Sequence, residues 1–381
     1  MTETPDAPTA ETSAPAEAAG GGAAPEGGAL PVVVSGIQPS GTLHLGNYFG
    51  ALRQNVALAG DADRRAEAFL FIVDYHALTT VRDAEALRRY SLDVALDYLA
   101  LGLDPESGDA PAHLFLQSDV PQLGELTWIF LCLTPTSLLE KGVAYKDKVA
   151  QGLSANAGLL TYPILQAADI LAYAASGRGL LVPVGADQKQ NLEISRDTAA
   201  RFNQTFGEPA GRPDLFPLPE PLILDEVAVV PGLDGRKMSK SYDNTIGIFD
   251  EGKELKKKVM SIVTDSTPLE APKDPDADNV FALIRLFADD AKREGVAAAY
   301  RAGGYGYGHA KKELLGLVTD HFAEARERRR ELAERPGHVR DVLAAGADAA
   351  RQRAAEVLAE VRDAVGFLNA GTGYEVRGTA P

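Results

Sequence analysis

Two short clusters in this sequence of 381 residues carry side chains suited to phosphate chemistry. His44-Leu45-Gly46-Asn47 sets two side-chain donors around a glycine. It opens a stretch in which Leu45, Phe49, Leu52 and Val56 recur at helical spacing. The N-terminus of such a helix offers unpaired N–H groups and the positive end of a dipole, which suits anions. The spacing is neither the GxGxxG fingerprint nor a GK[ST] loop. Far downstream, Lys237-Met238-Ser239-Lys240-Ser241 places two ammonium groups in a polar stretch just after Gly235. A third cluster, Tyr162, Gln166 and Asp169, falls at i, i+4 and i+7, one face of a helix. An aspartate there can accept one hydrogen bond from an indole N–H or a phenol O–H. Each cluster alone has a plain structural reading, as a loop turn, a solvated basic loop or a hydrated helix face. The first two together are a strong signal.

Positioning these residues requires a strand, a glycine-punctuated loop and a helix, and residues 31–56 read that way. Val32, Val33 and Val34 form a short buried strand, and Gly36, Gly41 and Gly46 punctuate the loop between it and the helix. Strand-like runs at Val32–Ser35, Ala68–Asp74, His113–Gln117 and Leu180–Val184 alternate with helical patterns. That alternation predicts an α/β fold with a parallel sheet and crossover helices. Ligands bind at the carboxyl ends of strands in such sheets, where Ser35 to Gln38, Asp74 to His76 and Gly185 to Gln188 fall. Asp83 is a plausible N-cap for a helix with Leu87, Val94, Tyr98 and Leu101 on one face and Gly102 as its stop. After residue 248 the pattern is helical to Leu368. Its last helix carries the stripe Ala350, Ala354, Val357, Leu358, Val361 and Val365. Residues 1–30 are nearly all Ala, Pro, Glu, Gly, Thr and Ser and are expected to be disordered, and residues 371–381 form a flexible tail.

The pair HLGN and KMSKS resembles the two signatures of the class I aminoacyl-tRNA synthetases. The fuller text resembles their tryptophanyl branch, bacterial type, in SGIQPSGTLHLGNYFGAL (35–52), FIVDYHALT (71–79), GLLTYPILQAADILAY (158–173), VPVGADQKQNLEISRDTAARFN (182–203) and GRKMSKSYDNTI (235–246). The likeness runs from about Val32 to about Leu368. It implies a Rossmann-like catalytic domain over 31–248, with a helical connective insertion at about 78–157 that also builds a homodimer interface. A helical anticodon-binding domain would occupy 249–370. The resemblance also implies ATP, L-tryptophan and tRNA(Trp) as substrates. His44, Asn47, Lys148, Lys237 and Lys240 would be catalytic, with the two loop lysines tracking the charge on the departing pyrophosphate. ATP would be held by Gln38, Ser40, Gly46, Asn47, Gly185, Asp187, Val227, Lys237, Ser239, Lys240 and Ser241. Ser35, His76, Tyr162, Gln166, Asp169 and Gln188 would bind tryptophan, Asp169 reading the indole. Gly46 would leave space for the adenine, and the polar signature loop is expected to be mobile. Gln166 stands where many of these enzymes have methionine, and Tyr-x-x-x-Gln-x-x-Asp is also the recognition spacing of the tyrosyl branch. Val34 likewise replaces a larger residue. A tyrosine enzyme and a catalytically silent, RNA-binding paralogue are the alternatives.

Composition narrows the rest. Hydrophobic content of 45% and charged content of 24% suit a soluble globular chain, and no apolar run approaches a membrane span. The single cysteine, Cys132, rules out an intramolecular disulfide, a cysteine-cage zinc site and a cysteine-ligated iron–sulfur cluster, and reads as a small core residue. Magnesium is expected on the ATP itself, since no carboxylate cluster suggests a dedicated cage. A net charge of −16 argues against a general polyanion surface. RNA contacts would come from local clusters such as Lys253/Lys256/Lys257/Lys258 or Arg326/Arg328/Arg329/Arg330. Both also read as solvated helix faces laced with Glu254, Glu324, Glu327 and Glu331. The apolar run Leu126 to Leu133 is a candidate dimer surface.

Overall fold

The computed structural model describes residues 30–60, 66–105, 111–140, 145–146, 156–174, 177–183, 189–222 and 229–368. Expectations for residues 1–29 and 369–381, and for Lys148, Gly185, Asp187, Gln188 and Val227, lie outside this range.

Five strands, β1 (Val32–Ile37), β2 (Glu67–Ile72), β3 (Ala112–Leu116), β4 (Leu180–Pro183) and β5 (Glu220–Leu222), form one parallel sheet in the order β3-β2-β1-β4-β5. Register pairs Val32 with Glu67 and Ile37 with Ile72. The four apolar runs become β1 to β4. β5, which is Glu-Pro-Leu, gave no apolar run to find. Alternate residues serve opposite faces. Ile37, Leu70, Ile72 and Leu114 enter one core, and Val32, Val34, Phe69, Phe71 and Phe115 enter the other.

β1 leads through the loop to one winding built from α1 (Leu45–Asn47), a wider π-type turn at Tyr48–Leu52 and α2 (Arg53–Gly60). Among the described residues, the α-helices that follow before the signature loop include α3 (Asp74–Ala77), α4 (Ala84–Ala100), α5 (Gln122–Leu133), α6 (Thr136–Leu139), α7 (Ala157–Leu171) and α8 (Lys189–Phe202). Asp83 caps α4 by accepting from the backbone N–H groups of Glu85 and Ala86, and Gly102 at φ +104° ends it. The connective region at 78–157 holds the one strand expected within it, His113–Gln117, which becomes β3 at the edge of the sheet.

After the signature loop come α9 (Gly252–Met260), α10 (Asn279–Phe287), α11 (Asp290–Ala302), α12 (Tyr307–His321), α13 (Ala323–Ala333) and α14 (Pro336–Val365). They are all helical, as expected, yet they share the cores of the sheet. Leu255, Val280, Leu314 and Phe322 pack in one cluster with Leu45, Leu52 and Leu70. On the other face of the sheet, Ala347, Ala350, Ala354 and Val357 of α14 join Phe69 and Phe115. α14 thereby covers the edge strand, which would otherwise expose unpaired backbone groups. Gly346 permits the approach, since a Cβ there would lie 2.2 Å from the carbonyl oxygen of Leu114.

One expectation is corrected. Cys132 is exposed, not a core residue. The apolar run it sits in is a helix whose inner face is Leu126, Ile129 and Phe130, leaving Trp128 66% exposed on the outer side. Of the two basic clusters, the arginines are engaged within the chain. Arg326 donates to the carbonyls of Val318, Thr319 and Asp250, and Arg328 donates to that of Ala100 and to Glu324. Arg329 pairs with Asp93 and Asp97, and Arg330 with Glu251 and Glu327. Helix C-termini leave carbonyls without donors, and this cluster supplies them. In the lysine cluster Lys258 pairs with Asp250 and Glu254, while Lys253, Lys256 and Lys257 are exposed.

Candidate active site

About two hundred residues separate HLGN from KMSKS, and the fold joins them. Leu45 N–H donates to the Ile246 carbonyl at 3.0 Å, and Ile248 N–H donates to that of Leu43 at 3.1 Å. Met238 is 3% exposed and packs in the core that holds Leu43 and Leu45. Asn244, also buried, accepts from Ser239 N–H at 2.8 Å and donates to Asp234 at 2.7 Å and to the Lys237 carbonyl at 3.2 Å. Its amide fills the space where a side chain on Gly232 would stand, 2.3 Å from that position. The signature loop is therefore pinned by one apolar side chain and one amide, contrary to the expectation of a loosely held polar segment. The sequence signal was present in Met238 and Asn244.

Lys240 is docked rather than free. Its Nζ donates to the Gly41 carbonyl at 2.9 Å and to Ser40 Oγ at 3.3 Å. Burial lowers its pKa to about 8, with the charge of Asp97 opposing the shift. His44 caps the first helix. Its N–H donates to Asn47 Oδ1 at 3.1 Å, while its buried Nδ1 has no hydrogen-bond partner among the described residues. Burial, and secondarily Lys240, lower the imidazole to about 4, so it is neutral at physiological pH. The Cβ side of Gly46 is occupied by the His44 ring, 2.9 Å away, and by Met238 at 3.5 Å. The glycine is thus required by its own neighbours. Lys237 is exposed on the same loop, and Ser239 Oγ accepts from Ser241 N–H at 3.3 Å.

A second group forms at the carboxyl ends of β2 and β3. α7 buries Asp169 to 1% exposure, and Oδ2 lies 2.9 Å from His76 Nε2 on α3. Gln117, the first residue after β3, donates through Nε2 to Oδ1 at 2.7 Å and to Oδ2 at 2.8 Å. Burial raises the carboxyl pKa, and the bonds from His76 and Gln117 act against that. Tyr162, on the same face of α7, stands edge-on to His76 with ring centroids 6.0 Å apart. Beside them opens a pocket of about 190 Å³ whose walls include Tyr75, His76, Thr79, Thr127, Tyr162 and Leu165. Gln166 is half-buried on α7, Ser35 half-buried on β1 and Gln38 exposed just past it. Gln117 was not among the residues singled out from the sequence. Its place directly after an apolar strand, at the ligand-bearing end of the sheet, was the available signal.

Chemically, one group is a cationic, polar rim around a helix N-terminus, and the other is a buried acceptor one residue, His76, removed from a partly apolar pocket. The profile of the family described as tRNA synthetases class I (W and Y) matches residues 29–323. The chain is 50% identical over 335 residues to the tryptophan–tRNA ligase of Fusobacterium nucleatum, covering 88% of this chain and 98% of that one. It is 52% identical over 330 residues to that of Rhodopirellula baltica, covering 87% and 98%. The crystal structure of the tryptophanyl-tRNA synthetase of Campylobacter jejuni complexed with ADP and tryptophan matches at a TM-score of 0.77. Identity is 46%, with 88% of this chain and 100% of that one covered.

Proposed function

The chain belongs to the class I tRNA synthetases for tryptophan and tyrosine, and we propose that it is a tryptophan enzyme of bacterial type. It activates L-tryptophan with ATP and passes the aminoacyl group to tRNA(Trp). The observation that carries this reading is Asp169, an acceptor buried beside a pocket and joined to His76 and Gln117. A carboxylate so placed suits a ring that offers one N–H.

In the first step a carboxylate oxygen of tryptophan attacks the α-phosphorus. The bond to the bridging oxygen breaks, and that oxygen leaves with its electron pair as pyrophosphate. Such displacement gains most from positioning and charge neutralisation. Lys240 and Lys237 are the cations suited to the leaving charge, and the helix turn at His44 and Asn47 suits the remaining phosphate oxygens. In the second step a ribose hydroxyl at the end of the tRNA attacks the adenylate carbonyl carbon. It gives up its proton, and AMP departs. Magnesium arrives with the nucleotide. Lys148, Gly185, Asp187, Gln188 and Val227 complete the proposed site by resemblance. Two copies of the chain pair through the outer face of α5, and the enzyme works in the cytoplasm.

ATP–pyrophosphate exchange tests the reading. L-tryptophan should support exchange at least about 10³-fold better than L-tyrosine, because a phenol leaves polar groups mispaired. Equal support by the two amino acids would overturn it.

A further inference from the structure

The Asp169 carboxylate does not stand alone: an amide from another element is bonded to both of its oxygens. We propose that Gln117 is a specificity-determining positioning residue, which holds Asp169 as a pure hydrogen-bond acceptor and so favours indole over phenol. This rests on the functional reading above and deepens it.

Gln117 is fully buried. Its Oε1 accepts from Tyr75 N–H at 3.1 Å, which fixes the amide's orientation. The flipped amide would set its oxygen against the carboxylate and its NH₂ against a backbone N–H, losing every bond. The turn that carries it, residues 117–119, is fixed as well. Ser118 donates through N and Oγ to Asp74 at 2.9 and 2.5 Å, and Arg351 of α14 donates to the Asp119 carbonyl at 2.9 Å. Gln117 thus reaches Asp169 from a rigid base, with its donor end committed.

The consequence is chemical. An ionised carboxylate only accepts, whereas a protonated one also donates. Indole N–H only donates, and phenol O–H does both. Burial and the charge of Asp74 push Asp169 toward the protonated form, while the bonds from His76 and Gln117 favour the ionised one. Other titratable groups close by include Tyr75, Tyr162, Asp119, which feels Asp74, and Tyr173 just past the end of α7, whose hydroxyl feels Asp169. Among the described residues, the largest charge effects on Asp169 come from His76 and Asp74. Removing the Gln117 donor takes away one of the two side-chain bonds that favour ionisation and leaves that from His76.

The test measures exchange supported by tryptophan and by tyrosine from pH 5.5 to 8.5 for the wild-type enzyme and Gln117→Met, which keeps the shape without the donor. The variant should lower the ratio of kcat/KM for tryptophan over tyrosine at least tenfold. It should also move the acid limb of the tryptophan profile up by at least one pH unit. A variant that is slower for both amino acids, with ratio and limb unchanged, makes Gln117 a packing residue and overturns the proposal. Should Gln117→Met not fold, Gln117→Glu decides by the same two readouts. Its second carboxyl shifts both in the same direction and further, and unchanged values refute the proposal. Wild-type enzyme without tryptophan preference would instead remove the functional reading itself.

Discussion

Removing the Lys240 ammonium is the sharpest probe of how the signature loop works. In the resting enzyme Nζ donates to Gly41 O and Ser40 Oγ, and its pKa is lowered to about 8 chiefly by burial. At pH 7 about ten molecules in eleven carry the charge, and the charged fraction falls about tenfold per pH unit above 8. Lys240→Ala should slow single-turnover adenylate formation about 10²-fold at pH 7, or about 2.7 kcal/mol, the scale of one preorganised charge donor. Little change in KM for ATP should accompany it, because the contact strengthens as pyrophosphate leaves. In the wild type, kcat/KM, which reports the free enzyme, should fall above about pH 8 toward the level of the alanine variant. Lys240→Arg, charged throughout, should show no such fall. Transfer of preformed adenylate to tRNA should be spared, since pyrophosphate is then gone. A raised KM for ATP with an unchanged rate, or a wild-type profile flat from pH 7 to 9.5, would refute the reasoning.

Arg329→Met strands Asp97, which is 3% exposed and held up to about 6 by burial despite its 2.6 Å bond to Arg329. Unfolding in denaturant at pH 8 should show a loss of about 3 kcal/mol, with a smaller loss at pH 5, where Asp97 takes up a proton. Gly346→Ala places a methyl 2.2 Å from the Leu114 carbonyl oxygen, a backbone atom that cannot swing aside. A cost of at least about 1–3 kcal/mol should appear as a lower Tm, and wild-type stability would mean α14 is not seated on β3. Trp128→Glu removes the largest exposed apolar group on α5, so sedimentation should find dimers for the wild type at micromolar concentration and monomers for the variant. A wild-type monomer would refute that interface.

Local pattern determined much of this protein. Four apolar runs became four parallel strands, and Asp83 and Gly102 bound α4 because capping and a positive φ are properties of a few adjacent residues. Motif spacing put Tyr162 and Asp169 on one helix, since 3.6-residue periodicity needs no partner. Partners were the part that local pattern could not supply. The arginines at 326–330 read equally well as an RNA surface or a solvated face. Which helix ends lay within their reach was decided by how α13 docks on α4 and α12. Cys132 looked like core because its neighbours in sequence are apolar, but a helix also turns part of any apolar run outward. The last helix showed its stripe, though not that the stripe closes the edge of the sheet. Gln117 is one polar residue after one strand, with nothing in the chain around it to mark its use. Its contact with Asp169 spans 52 positions, and only the packing of α7 against β3's end brings the amide to the carboxylate.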